Sequence, residues 1–254
     1  MKRITILLTL VVFTVSATFA QKGKVTSAKN LKDTGKLEEA LKNINEAIDP
    51  NNEKAEKSIP WPQTWEVRGE IYQAIGESKD ENIKKLSDDP FTVALESYKK
   101  ALELDTKNRN DNSIKIKLTF LINDLNNKAA EEFKAGNYKN AVTAFEQILD
   151  IENLNVIKAD DASAIDTATI YNTALASSYA KDYDRAIKYY DECIKYGYNG
   201  ADAYPLLASV YIAKNDTLGA LDVLKKGFEK YPDDQSVLDN MIEIYMNLKK
   251  TDDV

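Results

Sequence analysis

The sequence of 254 residues contains no histidine and only one cysteine, Cys193. Without an imidazole, the chain lacks His-based general acid–base catalysis, Ser-His and Cys-His nucleophile pairs and imidazole metal ligands. A single cysteine rules out an internal disulfide. Cys193 lies at a small-residue position of an amphipathic segment, which favours a buried, inert thiol. A Gly-rich phosphate loop is also missing, so we predict no enzymatic activity, no cofactor and no metal site.

Positive charge is in deficit, with 34 Lys and Arg against 41 Asp and Glu and a net charge of −7. Removal of the N-terminal segment described next would delete Lys2 and Arg3, which takes the net charge from −7 to −9. Such a surface repels phosphate backbones and anionic lipid, so nucleic acid is not expected as a partner.

Long hydrophobic runs are missing except at the N-terminus. Lys2 and Arg3 precede an apolar run from Ile4 to Val15, and small residues follow as far as Ala20. This order is typical of a secretory signal peptide at residues 1–20, cleaved between Ala20 and Gln21. The alternative is an uncleaved anchor, but the run is shorter than the ~20 residues that span a bilayer. We therefore expect an exported chain, periplasmic or secreted, with no transmembrane segment after cleavage.

The rest of the chain repeats one pattern. A polar turn is followed by an alanine that opens an amphipathic run, and a large residue stands four positions later. A small residue recurs twelve positions before the alanine, except in the second unit, whose insertion puts it 25 positions before. The alanines are Ala40, Ala94, Ala141, Ala186 and Ala220, the large residues Ile44, Tyr98, Phe145, Tyr190 and Leu224, and the small residues Ala28, Gly69, Ala129, Ala174 and Ala208. A spacing of four marks one helical face, and small residues let two helices approach closely. The pattern predicts helical hairpins that stack to bury their apolar faces.

This pattern resembles the tetratricopeptide repeat, most closely from Ala201 to Asp234, where Tyr204, Ala208 and Ala220 occupy repeat positions. The resemblance implies an all-α fold, a right-handed superhelical solenoid of antiparallel helix hairpins. The units are expected at residues 21–54, 62–108 with an insertion at 77–89, 109–155 with an extended first helix, 167–200 and 201–234, with a half unit at 235–254.

Two irregular regions leave alternatives open. The insertions, including a polar loop at residues 156–166, are either tolerated surface loops or contacts for a ligand. The half unit carries an apolar stripe, where a solenoid would normally have a polar cap. This end is either a lone capping helix or part of a longer array, and we expect a longer array or a partner that covers the stripe.

Arrays of the tetratricopeptide family place their first helices along a concave groove, where ligands usually lie. By this resemblance, eight residues are the candidate partner contacts: Glu70, Gln73, Asn126, Phe133, Tyr171, Leu175, Ser178 and Tyr179. Tyrosine and amide side chains suit an extended peptide. The alternative is that Tyr171 and Tyr179 only pack between neighbouring units. The family's carboxylate clamp is not expected, because Val25 and Lys29 hold the corresponding first-unit places.

The leading hypothesis is a non-enzymatic scaffold of the bacterial envelope or secreted space, which binds a protein or peptide in its groove. One alternative is a glycan-associated binding protein of the envelope, because aromatic residues stack on sugar rings. Another is the docking arm of a longer enzyme, with its catalytic domain beyond Val254.

Overall fold

The computed structural model describes residues 22–158 and 166–252, and within these ranges the protein is helical, with no β-strand. The predicted signal peptide and its cleavage point lie outside the described residues, as does most of the loop at 156–166. None of the helices in the described ranges is long and apolar enough to cross a membrane.

The helices follow one another with short connections. The first seven are α1 (residues 22–33), α2 (Leu37–Ile48), α3 (Pro62–Glu77), α4 (Glu81–Lys84), α5 (Pro90–Leu104), α6 (Asp111–Lys134) and α7 (Tyr138–Glu152). The remainder are α8 (Thr167–Tyr179), α9 (Tyr183–Tyr196), α10 (Ala203–Ala213), α11 (Thr217–Lys230) and α12 (Gln235–Asp252). The single-turn helix α4 lies inside the insertion expected at 77–89, and α6 is the longest of these helices, with 24 residues.

The described chain forms two compact units. The first unit comprises residues 22–124 and 155–157, and the second comprises 125–154, 158 and 166–252. Helix α6 contributes its residues through Asp124 to the first unit and those from Leu125 to the second.

Helix pairs pack as hairpins within each unit. In the first unit α3 packs against α5 and α2 against α3. In the second unit α8 packs against α9 and α10 against α11, while α7–α8, α9–α10 and α11–α12 contacts join successive pairs. The five repeat alanines, Ala40, Ala94, Ala141, Ala186 and Ala220, are all fully buried. The predicted all-helical hairpin fold is confirmed.

Small residues set the distance between paired helices. A Cβ atom placed on Gly69 of α3 would lie 2.4 Å from Cε1 of Tyr98 on α5. In the second unit, a Cβ atom on Gly227 would lie 2.8 Å from Cγ of Tyr204. Both separations are far below van der Waals contact, so the tyrosine rings occupy the space that the glycines leave open.

The turn inside a hairpin repeats one backbone conformation. Gly35 and Gly136 have φ of +78° and +81°, and Lys181 and Asn215 take the same left-handed conformation at the equivalent turns, with φ of +58° and +62°. Glycine adopts this conformation without steric cost and asparagine tolerates it, whereas lysine does so rarely. The turn geometry is therefore kept even where the residue is unfavourable.

Candidate functional site

The first unit places polar stripes of three helices side by side. On α3 the stripe is Glu66, Glu70, Gln73 and Glu77, and on α6 it is Ser113, Lys117, Phe120 and Asp124. Steps of three and four residues put each set on one face of its helix. Lys29, Lys32 and Asp33 of α1 complete the surface. Most of these residues line one open cavity of about 510 Å³, which we call the α1–α3–α6 groove.

Ion pairs join the three helices at the floor of this groove. The Glu70 carboxylate accepts from Lys32 Nζ of α1 at 2.7 Å and from Lys117 Nζ of α6 at 3.1 Å. Lys117 Nζ also lies 2.7 Å from Glu66 Oε1, which accepts from the Ser113 hydroxyl at 2.6 Å. The side chains of Glu66 and Glu70 are only 11% and 12% exposed. Their charges are therefore compensated within the groove.

The pKa values of the two lysines reflect this pairing. Burial alone would lower the pKa of Lys32, but hydrogen bonds to Asp33 and Glu70 raise it above its usual value. Burial acts in the same direction on Lys117, and its hydrogen bond to Glu66 and the charges of both glutamates raise the pKa. Both lysines therefore stay charged at neutral pH.

The other end of the groove is acidic. Gln73 is buried, and its amide nitrogen donates to Asp124 Oδ2 at 2.7 Å and to Glu77 Oε1 at 3.2 Å. The Gln73 carbonyl oxygen accepts from the buried Tyr98 hydroxyl at 2.9 Å. Partial burial, together with the charge of Asp124 and a hydrogen bond to it, raises the pKa of Glu77. The carboxyl groups of Glu77 and Asp124 therefore lie close together, joined by the Gln73 amide nitrogen, and we call them the acidic pair.

Two exposed apolar side chains lie on the same helix as Asp124. Phe120, one turn before it, lines the groove, and Ile116 stands one turn further back. Each is 58% exposed. The groove therefore combines a fixed polar floor with an apolar rim, and it can offer a ligand both hydrogen-bonding groups and apolar area.

The second unit carries an aromatic cluster formed by Phe133 of α6, Tyr138 of α7 and Tyr179 of α8. The Tyr138 and Tyr179 rings are stacked with centroids 5.0 Å apart. Phe133 meets both rings edge-on, at 5.2 Å from Tyr138 and 5.5 Å from Tyr179. Tyr179 remains 55% exposed, so part of the cluster faces solvent.

The eight predicted contact residues fall into separate surroundings. Glu70 and Gln73 line the α1–α3–α6 groove, and Phe133 and Tyr179 belong to the aromatic cluster. Tyr171 packs against Tyr190 and Tyr198, which agrees with the alternative that it serves packing. Ser178 lies near Tyr190, where it partly offsets the rise in the pKa of that tyrosine that burial causes. Leu175 is half-buried and Asn126 is exposed. That these residues contact a partner stays a prediction.

Sequence reasoning missed several groove residues, namely Lys32, Lys117, Phe120 and Asp124, and it also missed Tyr138 of the aromatic cluster. The steps of four, three and four from Ser113 to Asp124 could have indicated the α6 stripe. The length of α6 concealed it, because the repeat pattern marks only the last turns of that helix. Tyr138 follows a turn residue and had no groove position by register.

The single thiol lies in the core of the second unit. Cys193 is fully buried among the repeat alanines of α9 and α11. Burial raises the pKa of the thiol to about 11, so it is protonated at neutral pH. This agrees with the expected inert thiol.

Residues 168–196, which form most of α8 and all of α9, match the family model described as tetratricopeptide repeat. The α8–α9 hairpin is a tetratricopeptide repeat unit. Proteins with such repeats are generally non-catalytic scaffolds. The neighbouring α10–α11 hairpin keeps the same small residues buried, at Ala208 and Ala220.

Three solved structures are similar to this chain over most of its length. The MamA protein is 18% identical, with 84% of this chain and 92% of that chain covered and a TM-score of 0.34. The P58(IPK) TPR domain is 16% identical, with 92% and 67% covered and a TM-score of 0.45. YrrB, described as a TPR protein with an unusual peptide-binding site, is 17% identical, with 85% and 88% covered and a TM-score of 0.35. These values are too low to indicate what this chain binds.

A search of curated protein sequences found no match.

Proposed function

We propose that this protein is a non-enzymatic scaffold of the bacterial envelope or secreted space, which binds an extended segment of a protein partner in the α1–α3–α6 groove. The observation that carries the proposal is the composition of that groove: an open cavity of about 510 Å³ with a hydrogen-bonded floor and the exposed Phe120 at its rim. The tetratricopeptide repeat at residues 168–196 supports protein binding in general terms.

The groove is suited to binding because its polar side chains are already fixed. Glu70 is held by two lysines, and Gln73 is held by Tyr98, Glu77 and Asp124. Side chains that are ordered before binding lose little conformational entropy when a partner arrives. The exposed Phe120 and Ile116 supply the apolar area that an extended peptide could cover.

Site-directed photo-crosslinking tests this proposal. A photoreactive phenylalanine analogue replaces Phe120 in the groove, and in a control protein it replaces Glu96, which is exposed on α5 of the same unit. Both proteins are irradiated in envelope extract. We expect a discrete protein adduct with the analogue at position 120 and none at position 96. Equal labelling at both positions, or no adduct at either, would contradict groove binding.

Export is part of the proposal and rests on the sequence of residues 1–20. The full chain is expressed in a bacterium, and the N-terminus of the protein outside the cytoplasm is determined by mass spectrometry. We expect it to begin at Gln21. Replacement of Ala20 by Arg should prevent cleavage, since signal peptidase requires a small residue there. A chain that stays in the cytoplasm with an intact N-terminus would contradict export.

Glycan binding is a second candidate, favoured by the aromatic cluster. The exposed Tyr179 ring is supported from behind by Tyr138 and Phe133, an arrangement that can stack on the apolar face of a sugar. A glycan array compares the unaltered protein with Tyr179→Ala and with Tyr196→Ala, a control at a tyrosine that is 40% exposed. Glycan binding that disappears only with Tyr179→Ala would support this candidate. An array without binding would reject it.

A further inference from the structure

The positive charges at the floor of the α1–α3–α6 groove are already engaged. Lys117 Nζ contacts Glu66, Glu70 and the Ser113 hydroxyl, and Lys32 Nζ contacts Asp33 at 2.8 Å and Glu70 at 2.7 Å. At either of these two lysines a partner carboxylate would have to compete with a glutamate, although Lys29 also lines the groove. Lys32 and Lys117 therefore offer little to an acidic group.

The acidic pair is compensated less completely. A neutral group, the Gln73 amide nitrogen, donates to both Glu77 Oε1 and Asp124 Oδ2. The charge of Lys32 acts to lower the pKa of Glu77, but burial and the charge of Asp124 outweigh it and the pKa is raised. Two neighbouring carboxylates repel when both are ionised, and this repulsion adds to burial in raising the pKa of Glu77. A cation placed at the pair would relieve the repulsion.

The apolar rim lies beside the acidic pair. Phe120 and Asp124 are separated by one turn of α6, and Phe120 is 58% exposed. An aromatic ring next to a carboxylate suits a side chain with an apolar stem and a cationic end, because the stem covers the ring and the cation meets the carboxylate. Ile116, one turn further back, can receive an apolar neighbour of that side chain.

We propose that the groove selects an extended partner segment with a lysine or arginine, whose cationic group lies at the Glu77–Asp124 pair and whose stem lies on Phe120. This inference rests on the proposed function, and it adds the chemistry of the partner. Charge complementarity supports it, because carboxylates outnumber lysines in the groove. The carboxylates are those of Asp33, Glu66, Glu70, Glu77 and Asp124, and the lysines are Lys29, Lys32 and Lys117.

Selection from a bacteriophage library of random linear peptides tests both proposals. The purified chain is compared with the double variant Glu77→Gln/Asp124→Asn. A control, Glu96→Gln/Glu103→Gln, makes the same change in net charge at two exposed positions of α5 outside the groove. We expect the unaltered chain and the control to enrich peptides with a fixed lysine or arginine beside an apolar residue. The groove variant should lose that preference.

A double-mutant cycle then measures the contact directly. One enriched peptide is synthesised with its lysine or arginine, and again with norleucine at that position. For the unaltered chain the replacement should raise the Kd by about tenfold or more, as expected for the loss of a charge-assisted hydrogen bond. For the groove variant, the two peptides should bind alike. Circular dichroism confirms that the variant is folded, which is expected because both substitutions keep the side-chain size.

The outcomes separate the two proposals. If the unaltered chain enriches no peptide, the proposed peptide binding fails, and the inference fails with it. If it enriches peptides without a fixed cationic residue, or if norleucine binds as well as lysine, peptide binding stands and the inference is wrong. A preference for cationic peptides that survives in the groove variant would also overturn the inference.

Discussion

The two units build their hairpins from the same pattern but connect their first helices by different chemistry. In the first unit, Glu70 of α3 binds lysines from α1 and α6. In the second unit, Phe133 of α6 meets Tyr179 of α8 through an edge-on aromatic contact. The repeat fixes the small residues inside each hairpin, whereas the contacts between successive first helices are free to vary. Two stretches of one chain can therefore offer different surfaces on the same scaffold.

The largest expected difference between the units comes from removing the connecting side chain in each. Lys117→Met leaves Glu66 and Glu70 without their shared cation, and we expect it to destabilise the first unit by about 2 to 3 kcal/mol. Tyr179→Ala removes an aromatic contact that is largely exposed, at a cost of about 1 kcal/mol. Hydrogen exchange of α3 and α8 amides measures the two effects separately.

A second substitution controls the first of these variants. Adding Glu66→Gln to Lys117→Met removes one of the uncompensated charges, so it should recover part of the lost protection in α3. If the single variant is as protected as the unaltered chain, the ion pairs do not hold these helices together.

Filling the glycine positions should also affect the first unit more. Gly69→Ala places a methyl group against the buried Tyr98 ring, and we expect a loss of about 2 kcal/mol despite the better helix propensity of alanine. Gly227→Ala meets Tyr204 at a longer distance, and its expected loss is about 1 kcal/mol or less. Chemical denaturation followed by circular dichroism measures both. A stabilising effect of Gly69→Ala would show that Tyr98 can move aside.

Hydroxyl removal gives a smaller contrast. Tyr98→Phe deprives the buried Gln73 carbonyl of its donor, and we expect a loss of about 1 kcal/mol. Tyr179→Phe should leave stability unchanged, because the ring is exposed and its hydroxyl can be hydrated in the folded and the unfolded chain alike. Thermal unfolding compares the two variants. Equal effects would contradict the buried hydrogen bond.

The smallest expected effect is a pH dependence in the second unit. Burial and the charge of Asp166 raise the pKa of Glu152 to about 7. A raised folded pKa means that its stabilisation is full below the unfolded value near 4.5 and is lost as the pH rises through about 7. With allowance for solvent screening, the loss is about 1 kcal/mol.

Glu152→Gln should abolish this decline, which a series of thermal melts between about pH 4 and pH 8 would show. Glu77→Gln should change the pH profile in the same direction, since the pKa of Glu77 is also raised. A profile unchanged by Glu152→Gln would contradict the raised pKa at this position.

The hairpins could be predicted from the sequence because their packing restricts residue size. Ala186 and Ala220 are fully buried where their helices meet their partners, and a larger side chain would separate the helices. The same restriction explains Gly69 and Gly227. Because these positions accept only small residues, such residues recur at regular intervals in the sequence and predict the hairpins.

The candidate groove could be predicted only in part. Register placed Glu70 and Gln73 on the groove side of α3, and both line the cavity. The contribution of α6 could not be predicted, because the early turns of this long helix carry no repeat residue that fixes their orientation. Pattern also does not reveal whether a tyrosine ring packs inward, as Tyr171 does, or remains exposed, as Tyr179 does.

The bridge from Lys32 through Glu70 to Lys117 has a mechanical consequence. Apolar faces of stacked helices tolerate sliding along their axes, because one methyl group can replace another. A carboxylate with one cation on each side fixes the axial position of its helix relative to the other two. A shift of one helical turn, about 5.4 Å, would break both contacts. The bridge therefore keeps the three helices in axial alignment. It also keeps the distances between the side chains of the α1–α3–α6 groove constant for any molecule that binds across them.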